Sequence, residues 1–320
     1  MAIPSSTSIR NLNTPNKSLS FRPNDNKIDQ FLRKIIFQSL ERSTDQFLFQ
    51  RATSLPTVAF FAQGASVNNN VAAVSTTTLT LERVGQHVAI DLLDELSSRS
   101  DYDLRFSQLE QQVRATKLSL LRLLSTKLIT GGTGSNEVIG IQRQISTHSN
   151  GVDFSASNPL TLNDLYRAAN ACRPTDDFVG SYSGRCFVSN ERALRQVMHL
   201  LDNAGLNLQF RYDEDLKTEI PFFFGIPWLI SDAVPTTGGS PDTTDIYVVP
   251  LEGETALRLL YAKDMNHDCD EWGIHCYDIP LQQSTSQLSK AVVAFYTLYV
   301  PEASLVRMNT VRLSNATALP

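Results

Sequence analysis

Four side chains in the last quarter of the chain have the types that bind soft metals. His267-x-Cys269 is followed by His275-Cys276, and Cys and His together suit zinc. The spacing fits no standard zinc module, and Asp268, Asp270 and Glu271 crowd it. Asp264, Asn266, Asp268 and Asp270 imitate the start of a calcium loop. That loop needs Gly at its sixth position and Glu at its twelfth, where this chain has Cys269 and His275. The glycines Gly131, Gly132 and Gly134 could suggest a phosphate cradle, but no Gly-Lys-Ser/Thr follows and a helical pattern, not a strand, precedes. Gly180-Ser181-Tyr182-Ser183-Gly184 does not spell the G-x-S-x-G of a nucleophile elbow. The plainer reading holds at each place: loops with incidental residues and a helix stop. No catalytic residue, metal or cofactor is expected.

The elements around these residues explain more. The chain has 320 residues, 42% hydrophobic and 19% charged, enough for one large domain or two intertwined ones. The net charge of −5 lacks the basic excess of a dedicated DNA-binding protein. No apolar run reaches the roughly 18 residues of a membrane helix, and the N-terminus lacks the apolar core of a signal peptide. The expected compartment is a cytoplasm, with Cys172, Cys186, Cys269 and Cys276 as thiols.

Residues 1–26 are polar and would not fold alone, so they read as an arm. Ile28, Phe31, Leu32, Ile35, Ile36 and Leu40 recur at three- and four-residue steps, predicting a helix over Asn26–Gln50. From residue 57 to 80, β-branched runs flank a polar tip at Asn68–Asn70. This predicts a long hairpin with little to bury, marginal without a partner. Leu79, Leu81, Val84, Val88 and Ile90 predict strand, and Asp91–Leu96 a helical turn. Asp103–Leu128 makes the strongest helical pattern, a rod on the order of 40 Å long, stopped by the glycines. Short α and β pieces follow. Thr161–Cys172 is a helix with Thr161 as N-cap and Asp164 three residues on. Arg185–Ser189 is a buried strand. Asn190–Ala204 is a helix with Leu194, Val197, Met198 and Leu201 inward and Gly205 just past its end. Phe222–Trp228 is a strand bent at Gly-Ile-Pro and continued to Ala233. Pro235–Thr244 is an exposed loop, and Ile246–Pro250 and Ala291–Val300 are strands.

The order of these parts resembles the major capsid proteins of the Hong Kong 97 fold, shared by tailed phages and encapsulins. Leu81-Glu82-Arg83-Val84-Gly85, then Val88 to Glu95, look like the strand and short helix entering that family's peripheral domain. Asp103–Leu128 looks like its spine helix, and Gly131-Gly132-Thr133-Gly134 with Ile139-Gly140-Ile141 like the exit from it. Phe187-Val188-Ser189-Asn190 before a helix, and Gly225-Ile226-Pro227-Trp228 before Asp232, look like the axial domain. Pro301-Glu302-Ala303 with Val306 looks like the C-terminal end. The likeness covers most of Phe31–Arg312.

The resemblance implies an α+β capsid fold. Its parts would be an N-terminal arm (1–26), an N-terminal helix (27–54), an extended loop (55–80), a peripheral domain (81–140 and 274–320) and an axial domain (141–273). It implies a non-enzymatic coat protein that self-assembles as pentamers and hexamers into an icosahedral head around double-stranded DNA. The implied location is the virion, with assembly in the host cytoplasm. Partners would be other copies of itself, a portal protein, separate scaffolding and decoration (cement) proteins, and packaged DNA contacted non-specifically, with no membrane. An encapsulin compartment is the alternative in the same fold, and a metal-dependent enzyme using residues 264–276 a third reading. Val58, Phe60, Phe61, Val71 and Val74 are the candidate intersubunit contacts. Some family members weld their shells through a Lys in the extended loop. This chain has no Lys between Lys34 and Lys117, so that nucleophile is missing. No long acidic helical segment precedes the fold, so a scaffold would be a separate protein.

Overall fold

The computed structural model describes residues 29–40, 46–54, 73–93, 95–96, 107–132, 134, 136–148, 151–157, 159–172, 184–239, 242–251, 256–263, 269–282, 287–300 and 310–317. In chain order its elements are α1 (Gln30–Lys34), β1 (Ile36–Leu40), β2 (Gln46–Ser54), β3 (Ala73–Thr80), β4 (Glu82–Asp91), α2 (Gln108–Thr130), α3 (Ile141–His148), β5 (Gly151–Ser155), α4 (Leu162–Ala171), β6 (Arg185–Ser189), α5 (Glu191–Asn203), β7 (Gln209–Asp213), β8 (Thr218–Phe223), β9 (Ile226–Ile230), β10 (Thr236–Thr237), β11 (Thr243–Pro250), β12 (Arg258–Ala262), β13 (Ile274–Gln282), β14 (Gln287–Tyr299) and β15 (Thr310–Thr317).

These elements build two sheets and a separate ribbon. The first sheet has five strands in the order β1-β12-β14-β13, with β4 paired to β14. The second has eight, in the order β5-β15-β11-β6-β9-β8-β7, with β10 on β11. The ribbon is β2 paired antiparallel to β3, Gln46 opposite Thr80 and Phe49 opposite Thr77. The long helix α2 starts at Ser107, whose hydroxyl accepts from Glu110 N, and stops at Gly131. Its buried face (Leu120, Leu121, Leu124, Leu128 and Ile129) joins one continuous core with β4 and β14 of the first sheet. Cys186, Val188, Tyr247 and Val249 of the second sheet belong to the same core.

The opposite face of the second sheet has its own core. Phe187, Trp228, Ile246, Val248, Val311 and Leu313 pack there against α4 and α5. Alternate residues of β6 and β11 therefore enter different cores, because strand side chains alternate faces. That is why RCFVS is buried at all five positions. Trp228 stacks on Phe187 with ring centroids 4.6 Å apart and donates to Ser189 Oγ at 2.8 Å. The N-cap of α4 falls where expected, Thr161 and Asp164 forming a capping box, and Asn190, read as the first residue of a helix, caps α5 instead.

Several expectations need correction. The helix over 26–50 is only α1, and its stripe continues as β1 and then β2. Ile35 is extended (ψ 142°), and the following Ile-Phe run pairs in parallel with β12. Tertiary pairing thus overrides a helical period. The hairpin's first strand is β2, upstream of residue 57. Val74 sits opposite Ala52, while Val58, Phe60, Phe61 and Val71 lie outside the described residues. The strand bent at Gly-Ile-Pro is a hairpin: Phe224 (φ 50°) and Gly225 (φ 81°) turn β8 into β9, the left-handed pair that a tight hairpin requires. Met198 is 37% exposed, not inward, because Leu194, Val197 and Leu201 already fill that face of α5. The segment 235–244 is not all loop, since Thr236 and Thr237 pair with Thr244 and Thr243. Apart from these corrections, long-range pairing puts β12 in the first sheet and β15 in the second. Leu259 belongs to the core under β14, whereas Val311 and Leu313 belong to the core under α4 and α5.

Candidate functional site

Among the described residues, those with metal-binding chemistry do not converge. His275 is buried on β13, and its Nε2 lies 3.0 Å from the Ala262 carbonyl. A carbonyl can only accept, so that nitrogen carries the proton. Cys276, the next residue on the strand, is exposed. Asp270 is consumed by the turn: Oδ1 accepts from Trp272 N and Ile274 N, and Oδ2 accepts from Lys117 of α2 at 2.8 Å. Burial alone would push the Lys117 ammonium down, but the hydrogen bond and charge of Asp270 outweigh it and hold it above its ordinary value. Asp264, Asn266, His267 and Asp268 lie outside the described residues, as do Ser181 and Ser183. Among the described residues no three His, Cys, Asp or Glu side chains are grouped to hold a metal.

The glycines after α2 serve a close backbone crossing. A Cβ at Gly131 would collide with the Val138 carbonyl oxygen, and one at Gly140 would come 2.5 Å from the Lys127 carbonyl. Gly140 N donates to Gly131 O at 3.1 Å, and Lys127 clamps Glu137 across the bend at 2.7 Å.

Three other features bear on how the subunit meets its surroundings. The first is a strap. Asp29 caps α1 through Phe31 N at 2.8 Å and accepts from the Ser231 hydroxyl beyond β9. Gln30 accepts from Ile230 N, and Lys34 bridges Asp213 and Asp215 at 2.8 and 2.7 Å. Residues 29–40 therefore run from the second sheet straight into β1 of the first. Burial pushes the Asp29 carboxyl above its ordinary value despite bonds from Ser231, Ser125 and two backbone N–H groups.

The second feature is a charged cluster at the β5–β15–β11 junction. Arg312 Nε and Nη2 reach Asp245 at 2.9 and 2.8 Å, and Nη1 reaches Asp153 at 3.3 Å. Asp245 occupies the register shift between Thr244 and Ile246, a bulge that lets its carboxylate meet both Arg312 and the Tyr247 hydroxyl. Burial, then the Asp245 charge, push the Tyr247 phenol far up, so it stays a neutral donor.

The third is exposed apolar surface. Leu93 and Leu96 protrude from the helical turn after β4. Phe210 (51% exposed) and Tyr212 (64%) protrude from β7, the end strand of the second sheet. Sequence reasoning missed β7 and the strap. The signal for β7 was present in the alternation Gln209-Phe210-Arg211-Tyr212-Asp213, running into the turn residues Glu214 and Asp215.

No family model and no curated protein sequence matches the chain. Solved structures do, over nearly its whole length. The SrpI encapsulin complex of Synechococcus elongatus aligns at 15% identity with a TM-score of 0.68, covering 99% of this chain and 97% of that one. The Cyanophage A-1(L) capsid aligns at 11% identity and 0.66, covering 95% and 97%. The capsid of the native GTA particle aligns at 11% and 0.65, covering 98% and 100%. The chain has the Hong Kong 97 capsid fold. At such identities it is the path of the backbone that is shared. Within the Hong Kong 97 fold, α2 stands as the long helix under β4 and β14, and the ribbon falls between β1 and β4 in the chain.

Proposed function

We propose that the chain is a shell-forming protein, the major capsid protein of a tailed bacteriophage. It would self-assemble as pentamers and hexamers into the icosahedral head around double-stranded DNA. The observation that carries this is the Hong Kong 97 fold over essentially the whole chain, in likeness to a cyanophage capsid and a GTA particle capsid. In this reading residues 1–26 are an arm and 55–80 an extended loop, both lying on neighbouring copies. Val58, Phe60, Phe61, Val71 and Val74 make apolar contacts there. A portal protein and non-specifically contacted DNA complete the virion, which is assembled in the host cytoplasm; a scaffold is a separate chain or there is none, and an added cement protein is the alternative to closure by burial alone. Without a loop Lys, the shell is held by burial and not by an amide weld.

The second reading, an encapsulin compartment, is favoured by the likeness to the SrpI complex. The polar arm and the long loop favour the phage. Negative-stain microscopy of the purified protein tests the shared part: closed shells are expected, and a particle-free monomer overturns it. Mass spectrometry of purified shells separates the two readings. One co-enclosed enzyme in stoichiometric amount would move the assignment to the encapsulin. Boiled in detergent and reductant, shells should give one band near 35.6 kDa, and a covalent ladder would contradict non-covalent closure.

A further inference from the structure

We infer that Cys269 and His275 form a site for a soft monovalent cation of the copper(I) class, held between one thiolate and one imidazole. The two residues are directly opposed across an antiparallel bridge. The turn between them sets the pairing. Asp270 N donates to Ile274 O at 3.2 Å, and Gly273 N donates to Asp270 O at 2.9 Å. Gly273 takes the left-handed φ of 72° that this turn requires. Because the bond runs between Asp270 and Ile274, one step inside the turn, Cys269 and His275 are a non-hydrogen-bonded pair. In such pairs the Cα atoms stand about 4.5 Å apart and the side chains, on one face, lie closer than elsewhere in a ladder.

The imidazole is prepared as a ligand. Its Nε2 proton goes to the Ala262 carbonyl at 3.0 Å, so Nδ1 carries a lone pair. Metal-binding histidines donate their other ring N–H in this way, to a carbonyl or carboxylate that fixes tautomer and orientation. Tyr277 stacks beside the ring, with centroids 5.9 Å and planes 17° apart. His275 is 1% exposed, and among the described residues its Nδ1 meets no hydrogen-bond donor. A buried acceptor without a donor is costly, and a cation supplies the partner. Cys269 is half-buried, so an ion can reach the pair from solvent. Ligand number and charge choose the ion. Zinc takes three or four protein ligands, and the described residues offer no third His, Cys, Asp or Glu here. Copper(I) is soft, prefers thiolate and imidazole, and binds stably with two ligands in line. Asp270, next to Cys269, is already neutralised by Lys117 at 2.8 Å. One thiolate and one monovalent cation then add no net charge to a region where burial penalises charge. Binding releases the Cys269 thiol proton to solvent, and no electron is transferred. The ion pins the start of β13 to the segment before it.

The test uses the full chain with Cys276→Ser, which removes the exposed thiol. Copper(I) is supplied without oxygen, against the competing chelator bathocuproine disulfonate. One ion per chain is expected, and X-ray absorption at the copper edge should report one sulfur and one nitrogen neighbour. Adding Cys269→Ser should abolish uptake. His275→Gln should weaken it by more than about a hundredfold, the upper end of what loss of a mere supporting partner costs. Cys269 is only half-buried, so its serine variant decides the matter if His275→Gln does not fold. Uptake undiminished by Cys269→Ser, or two sulfur neighbours, would put the ion elsewhere and overturn the site, as would no uptake at all. Zinc(II) is the second probe. Tighter binding of zinc than of copper(I) requires further ligands and overturns the two-ligand assignment.

Discussion

The second sheet and the β2–β3 ribbon are both built from β-rich sequence, yet they stand in opposite physical situations. The sheet is covered on both faces: β6 and β11 send alternate side chains into two separate cores. The ribbon has two strands, and among the described residues its strand pairing is between those two. A lone two-stranded hairpin is marginal in water, whereas a doubly covered sheet carries most of the apolar burial of the fold. The sheet's stability is thus written within the chain, and the ribbon's depends on what it lies against.

The sharpest way to break the contrast is at the centre of the sheet. Trp228→Ala removes a fully buried ring and leaves Ser189 Oγ without its donor. It should cost about 3–5 kcal/mol, read as a shift in the denaturant midpoint of the isolated subunit or as loss of soluble protein. Next comes the helix that joins the sheets. Ala115→Pro, inside α2, should cost about 3 kcal/mol and abolish assembly. A soluble, assembling variant would count against a continuous α2.

Smaller effects belong to the strap. Lys34→Ala should cost about 1 kcal/mol at neutral pH, because Asp215 is exposed and its share of the pair is screened. Burial alone would raise the Asp213 carboxyl, but the hydrogen bond from Lys34, those from two backbone N–H groups and the Lys34 charge set it below its ordinary value. That contribution is present above the unfolded carboxyl's titration and lost as pH falls below about 4. The gap between wild type and Lys34→Ala should therefore narrow in acid, as urea titrations at pH 7 and pH 3 would show. The smallest effect on the subunit should come from the ribbon. Phe47→Ser should move the unfolding midpoint by no more than about 0.5 kcal/mol while shell yield drops. A large loss of subunit stability would place the ribbon inside the subunit's own core.

Legibility in the sequence followed the same division. Where one element meets one local pattern, the reading held. Thr161 with Asp164, RCFVS, and Gly205 after α5 at φ 69° all encode their structure within a few residues. It failed where a distant strand decides. Ile35-Ile36-Phe37 continues a helical stripe in sequence, but β12, more than 200 residues later, pairs with it. Which sheet β12 and β15 join is likewise set by long-range pairing that no local period records. The exposed aromatic residues of β7 were visible as an alternation, but their lack of cover was not, because burial depends on which strand comes last in the sheet.

The position of β15 between β5 and β11 has a consequence in time. Strand β5 pairs with β15 alone in its sheet, and Gly151 waits for Thr310. At a synthesis rate of about 5–20 residues per second, that interval is about 8–30 s on the ribosome. Until β15 emerges, β5 and the neighbouring edge of β11 lack the strand that joins them, and Asp245 and Asp153 lack the guanidinium of Arg312. A nascent chain therefore cannot close its second core until β15, at Thr310–Thr317, has left the ribosome.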